Sequence, residues 1–104
     1  MKLWLDDIRE MPKDFDIWAK TANEAIAILD LGKITHISFD HDLGDKSVFE
    51  GEELTGNDVA FWIEEAAFYK AIPQLTFAVH SANPVGAKNI EATMKQAIKF
   101  FEID

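Results

Sequence analysis

The chain has 104 residues, enough for one domain with a single two- or three-layer core. Its net charge of −9 and single arginine, Arg9, exclude a general nucleic-acid surface, because neutralising a phosphate backbone needs clustered Lys and Arg. The absence of cysteine excludes disulfides, thiolate catalysis and cysteine-based zinc sites, and suits a cytoplasmic protein. No apolar run approaches the ~20 residues of a membrane span, and no basic-then-apolar leader precedes the first strand.

Leu3 to Leu5 is continuously apolar, the pattern of a strand covered on both faces. Asp6 to Pro12 reads as a loop, and Ile17 to Lys20 as a brief second strand. Thr21 and Glu24 have capping-box spacing, so a helix starts there, buries Ala22, Ala25, Ile26 and Leu29, and ends at Gly32. Ile34 to Phe39 is the central strand. Gly44 to Gly56 is a polar, acidic loop, longer than a usual βα connection and a candidate lid.

A second helix runs from about Asn57 to Lys70, with Val59, Trp62, Ile63 and Ala66 on its buried stripe. Leu75 to Val79 is a strand. Asn83-Pro84 is an N-cap followed by proline at the first helical position, and the helix it opens continues almost to the C-terminus. The order β-β-α-β-α-β-α predicts an α/β fold: a mostly parallel sheet of about four strands with helices on both faces. Trp62 and the phenylalanine-rich helices read as core.

Three of these strands end in polar chemistry. Leu5 runs into Asp6-Asp7, Phe39 into Asp40-His41-Asp42, and Val79 into His80-Ser81. Ligands of open parallel sheets sit at such C-terminal strand ends. With strands ~4.8 Å apart, three neighbouring tips span roughly 10 Å. Asp6, Asp7, Asp40 and Asp42 would then crowd a space the size of a phosphate and a cation. Unpaired carboxylates at that spacing oppose one another's ionisation, and a divalent cation resolves the conflict. An all-oxygen set suits Mg²⁺, Mn²⁺ or Ca²⁺, and a histidine ligand would favour Mn²⁺ or another transition metal. The competing reading is that two of the acids cap helices or pair with Arg9 and nearby lysines.

His41 and His80 end two strands and could act as general acid and base, with Asp40 beside them; a hydrogen-bonded structural role is the alternative for each. His36 enters its strand from the opposite end and reads as structural. His80 to Gly86 supplies small polar residues before a helix start, where free N–H groups and the helix dipole favour an anion. Ser81, Asn83, Arg9 and Lys88 are the candidate phosphate contacts. Lys88 lies near that helix start, where a cation is disfavoured unless an anion binds too.

These blocks also resemble a family. Leu5-Asp6-Asp7-x-Arg9-x-x-Pro12, Ser38-Phe39-Asp40-His41-Asp42-Leu43-Gly44, Thr55-Gly56-x-Asp58-Val59 and His80-Ser81-Ala82-Asn83-Pro84-Val85-Gly86 are similar to the cyclic-phosphate processing receiver domain. The resemblance implies a receiver-like (flavodoxin-like) fold and a role at cyclic or terminal phosphates, in RNA repair or conflict systems. In signalling receivers, acids after the first strand hold Mg²⁺, as Asp6 and Asp7 could. An aspartate after the third strand accepts phosphate, matching Asp40 or Asp42, and a Ser/Thr after the fourth matches Ser81. Signalling receivers also carry a lysine on a fifth strand, whereas this chain reaches Asp104 directly after its last helix. The expectation is therefore a metal-dependent phosphoesterase acting on a small phosphorylated substrate or RNA terminus. The alternatives are a non-catalytic receiver-like signalling or phosphate-binding module and an acidic domain that docks a protein partner.

Overall fold

The computed structural model describes residues 1–44 and 47–103. In chain order these form β1 (Lys2–Leu5), β2 (Ile17–Ala19), α1 (Ala22–Asp30), β3 (His36–Phe39), β4 (Val48–Phe49), β5 (Glu52–Glu53), α2 (Gly56–Phe68), β6 (Thr76–Val79) and α3 (Pro84–Glu102). The four long-range strands form one parallel sheet in the order β2-β1-β3-β6. The predicted elements are all present. The added one is the antiparallel β4–β5 hairpin, which lies within the segment read as a loop from Gly44 to Gly56; Asp45 and Lys46 of that segment, like Asp104, lie outside the described residues.

Local chemistry accounts for the helix limits. The Thr21 hydroxyl accepts the Glu24 N–H at 3.1 Å, and Gly32, with φ +76, ends α1 in the left-handed region. The α2 start is a full capping box: Thr55 accepts from the first turn, and Asp58 accepts the Thr55 N–H at 2.7 Å. Asn83 caps α3 by accepting the Gly86 N–H at 3.0 Å, with Pro84 at the first helical position.

Alternation along the strands divides the sheet into two unlike faces. Leu3, Leu5, Ile37 and Phe39 are all completely buried and form one cluster with Ala25, Leu29, Val59, Ile63, Ile90 and Met94 of the helices. Each of these side chains larger than alanine contributes about 1.5–3 kcal/mol by leaving water. Helix α1 touches α2 and α2 packs extensively on α3, so all three lie on this one face. The expected placement of helices on both faces therefore does not hold, and handedness gives the reason. The crossovers β2→β3 and β3→β6 step across the sheet in the same direction, and right-handed connections then fall on the same side. Only β1→β2 steps the other way, and its connection carries Pro12 and no helix.

That connection folds back over the opposite face instead. Trp4, 6% exposed, packs edge-on against Phe15 and donates its indole N–H to the Arg9 carbonyl at 2.8 Å. Trp18 donates likewise to the Asp6 carbonyl at 2.7 Å. On the helix side, Phe61 and Phe68 are mostly exposed, contrary to their reading as core, because the stripe of α2 that faces the sheet is filled by Val59, Ile63, Ala66 and Ala67. No helix among the described residues is long and apolar enough to cross a membrane.

Candidate functional site

The register Leu5↔Phe39↔Val79 places Asp6, Asp40 and His80 side by side, one residue beyond three adjacent strands. Leu5, Phe39 and Val79 face the helices, so the next residue of each strand turns to the helix-free face. This edge is the switch point of the sheet, where the chain leaves β1 toward β2 and leaves β3 toward β6.

One carboxylate oxygen each from Asp6, Asp7 and Asp40 lies within 4.8 Å of the others. Asp6 is 2% exposed and held from both sides. Its Oδ1 accepts the N–H groups of Ile8 (2.8 Å) and Arg9 (2.7 Å), and its Oδ2 accepts His80 Nε2–H at 3.0 Å. Gly44 makes room for Asp7: with φ +72, it leaves only 2.9 Å between a hypothetical Cβ and the Asp7 Oδ2. The Asp40 carboxyl is pushed above its ordinary range by burial first and by the Asp6 charge second, while the His41 N–H bond opposes both. A compact all-oxygen donor set that resists its own charge suits a hard divalent cation.

Asp42 lies apart from this trio. Its Oδ1 is 2.9 Å from His41 Nδ1 and its Oδ2 is 3.4 Å from Asn83 Nδ2, and the His41 bond holds its carboxyl below the ordinary range. The His41 ring rests on Gly86 in the first turn of α3, where any Cβ would collide with it. The two histidines thus part company. His41 follows the strand alternation toward the helices, whereas His80 lies on the opposite face, stacked on Trp4 at 3.8 Å with the rings 4° apart. His80 Nδ1 meets the Ser38 hydroxyl at 2.8 Å, so both its ring nitrogens are engaged. Burial lowers the His80 pKa, partly offset by its bond to Asp6.

An open cleft of 430 Å³ is lined by Asp6, Asp7, Asp40, Asp42, Arg9 and Asn83 with Ile8, Gly44 and Ala82; His41 and His80 adjoin it through Asp42 and Asp6 and do not line it. Arg9 spans its rim and donates to the His80 carbonyl at 2.7 Å. Ser81 does not line the cleft, and its hydroxyl accepts the Asn83 N–H at 3.1 Å. Lys88 is exposed and does not line the cleft. Sequence reasoning missed Ser38 and Trp4. Both share the alternation phase of Asp6 and Asp40, a signal present in the strands but masked by treating them as uniformly apolar.

The parallel sheet with its switch point, the acids after β1 and β3, and the helix start after β6 define a receiver-like α/β domain. The chain belongs to the cyclic-phosphate processing receiver domain family, whose model it matches over residues 1–96. No curated protein and no solved structure matches it.

Proposed function

We propose that this domain is a divalent-cation-dependent phosphoesterase that opens a cyclic phosphate or processes a terminal one on a nucleotide or RNA end. The supporting observation is the convergence of Asp6, Asp7 and Asp40 in one cleft with Arg9 and the α3 N-terminus. The family supports a role in cyclic-phosphate processing. Asp6, Asp7 and Asp40 would hold the cation, Mg²⁺ or Mn²⁺, which would polarise the phosphoryl oxygens and offset their charge.

The other residues divide the remaining work. Arg9 reaches phosphate oxygens from the rim, and the positive end of α3 adds its field from beside Asn83. Asn83 Oδ1 is committed to capping, but its Nδ2 gives only one N–H to Asp42, and the Ser81 hydroxyl accepts from Asn83 while keeping its own O–H, so both retain a donor for a phosphate oxygen. Lys88 contributes long-range attraction rather than contact. Proton transfer falls to His41: ionised Asp42 fixes the proton on Nδ1 and leaves Nε2 as the basic nitrogen. His80 has no ring nitrogen to spare. Four aspartates against one arginine repel a phosphate until the cation is in place, so cation binding precedes substrate.

The test is phosphorus NMR of a 2′,3′-cyclic nucleotide and a terminal phosphomonoester with the purified protein. Conversion is expected with Mg²⁺ or Mn²⁺, none with chelator, and none in Asp40→Asn. No conversion of either ester with either cation by the intact protein would sink the phosphoesterase reading.

A further inference from the structure

His80 is assigned a role on geometric grounds that proton transfer does not explain. Its imidazole is fixed by three contacts at once: a parallel stack on Trp4 at 3.8 Å, the Ser38 hydroxyl at Nδ1, and Asp6 Oδ2 at Nε2. Ionised Asp6 can only accept, so Nε2 carries the proton and Nδ1 accepts from Ser38, itself 4% exposed. The arrangement closes on itself through Arg9. Its carbonyl takes the Trp4 indole N–H, its guanidinium holds the His80 carbonyl, and its backbone N–H bonds Asp6 Oδ1. Three hydrogen bonds thus hold the two oxygens of Asp6, two at Oδ1 and one at Oδ2, and one of these oxygens lies within 4.8 Å of carboxylate oxygens of Asp7 and Asp40.

We infer that His80 is a positioning residue for the cation site: it holds the Asp6 carboxylate in its ligating orientation, and Ser38 and Trp4 fix the imidazole that does so. The inference rests on the cation-binding part of the proposed function. It reassigns His80 from the reacting groups to the support of a ligand, where loss of a hydrogen-bond partner typically weakens metal binding about 10- to 100-fold. It also gives the helix-free face a task, since Trp4 and Ser38 act on the site from that face.

Mn²⁺ affinity, measured by electron paramagnetic resonance on the full chain without substrate, tests this independently of any activity. His80→Phe keeps a ring over Trp4 but removes the donor, and is expected to weaken Mn²⁺ binding about 10- to 100-fold. His80→Gln restores an N–H near the imidazole Nε2 position and is expected to recover much of that loss. Ser38→Ala, which leaves the imidazole in place but unfixed, is expected to show a smaller loss, and it decides the matter should His80→Phe not fold. Wild-type affinity in His80→Phe, or equal losses in the Phe and Gln variants, overturns the inference while leaving the cation site standing. Wild-type affinity in Ser38→Ala overturns the part given to Ser38 and, where His80→Phe does not fold, the inference itself. Absence of Mn²⁺ binding by the wild-type chain removes the cation reading itself, and this inference with it.

Discussion

The two faces of the sheet are built from different chemistry, although each strand contributes alternate residues to both. The helix-covered face presents Leu3, Leu5, Ile37 and Phe39 to a cluster whose side chains are all apolar. The other face presents Trp4, Asp6, His36, Ser38 and Asp40, knitted by hydrogen bonds and ring contacts. The first can rely on undirected burial, which tolerates no polar group but asks little of angles. The second must satisfy every donor and acceptor it encloses, and no buried side-chain polar atom among the described residues lacks a partner. Hydrogen bonds have direction, so this face can aim a carboxylate, and the trio of Asp6, Asp7 and Asp40 sits at its edge.

The comparison predicts that stability and activity will separate by face. Phe39→Ala, on the helix side, should cost the most stability, about 3–5 kcal/mol, by opening a cavity against the helices. Urea denaturation measures it, and a loss below about 1 kcal/mol would mean that the apolar face does not carry the fold. Asp40→Asn should do the reverse: no cation-dependent turnover, yet a higher Tm in chelator. The sign follows from its raised pKa. Between the ordinary carboxyl value of 3.8 and the higher folded value, the native state binds the proton more readily than the unfolded chain, so stability falls as pH rises through that window. At neutral pH the charged form is therefore a burden that asparagine lifts. An unchanged or lower Tm in chelator would show that the trio is not electrostatically opposed.

Much of this contrast was legible in the sequence because it depends on short periods. The parallel strands, the Thr21 cap, the Asn83-Pro84 helix start and the convergence of Asp6, Asp7 and Asp40 all follow from local spacing plus strand adjacency. The helix layer was not legible as one-sided. That depends on the direction in which each crossover steps, and strand order fixes the direction only once pairing is known. Nor could spacing separate Asp42 from its neighbours: it stands two residues from Asp40, but the chain turns after β3 and carries it to His41 and Asn83. His41 and His80 looked equivalent as strand-end imidazoles. They differ because one is two residues and the other one residue beyond a helix-facing position, Phe39 and Val79 respectively, which sends them to opposite faces.

Where the two regions meet, Gly86 sharpens the comparison. A methyl group there strikes the His41 ring, so Gly86→Ala should cost about 1–3 kcal/mol through forced movement of packed groups. It should also lower turnover, because His41 is displaced from Asp42, while Mn²⁺ binding by the separate trio stays within about threefold, below the effect of losing a ligand's hydrogen-bond partner. Loss of Mn²⁺ affinity equal to that of Asp40→Asn would show that the His41–Asp42 pair and the trio are one unit.

The smallest effect expected concerns His36, at the far end of the hydrogen-bonded face. Its Nδ1 lies 2.7 Å from the Thr76 hydroxyl, and burial first and the Lys2 charge second lower its pKa, against the opposing charge of Asp14. The unfolded chain therefore takes up a proton near the ordinary imidazole value of 6.5 while the native state still resists it. With more protons bound in the unfolded state, stability rises with pH across this window and declines as pH falls from about 6.5. Above it both forms are neutral and His36 contributes no slope. In His36→Gln, which can still bond Thr76, the fall in Tm between pH 7 and pH 5 should be shallower than in the wild type. A variant with an unchanged slope would place the pH dependence elsewhere, with the site residues Asp40 and His80, at the other end of the same face, as the first candidates.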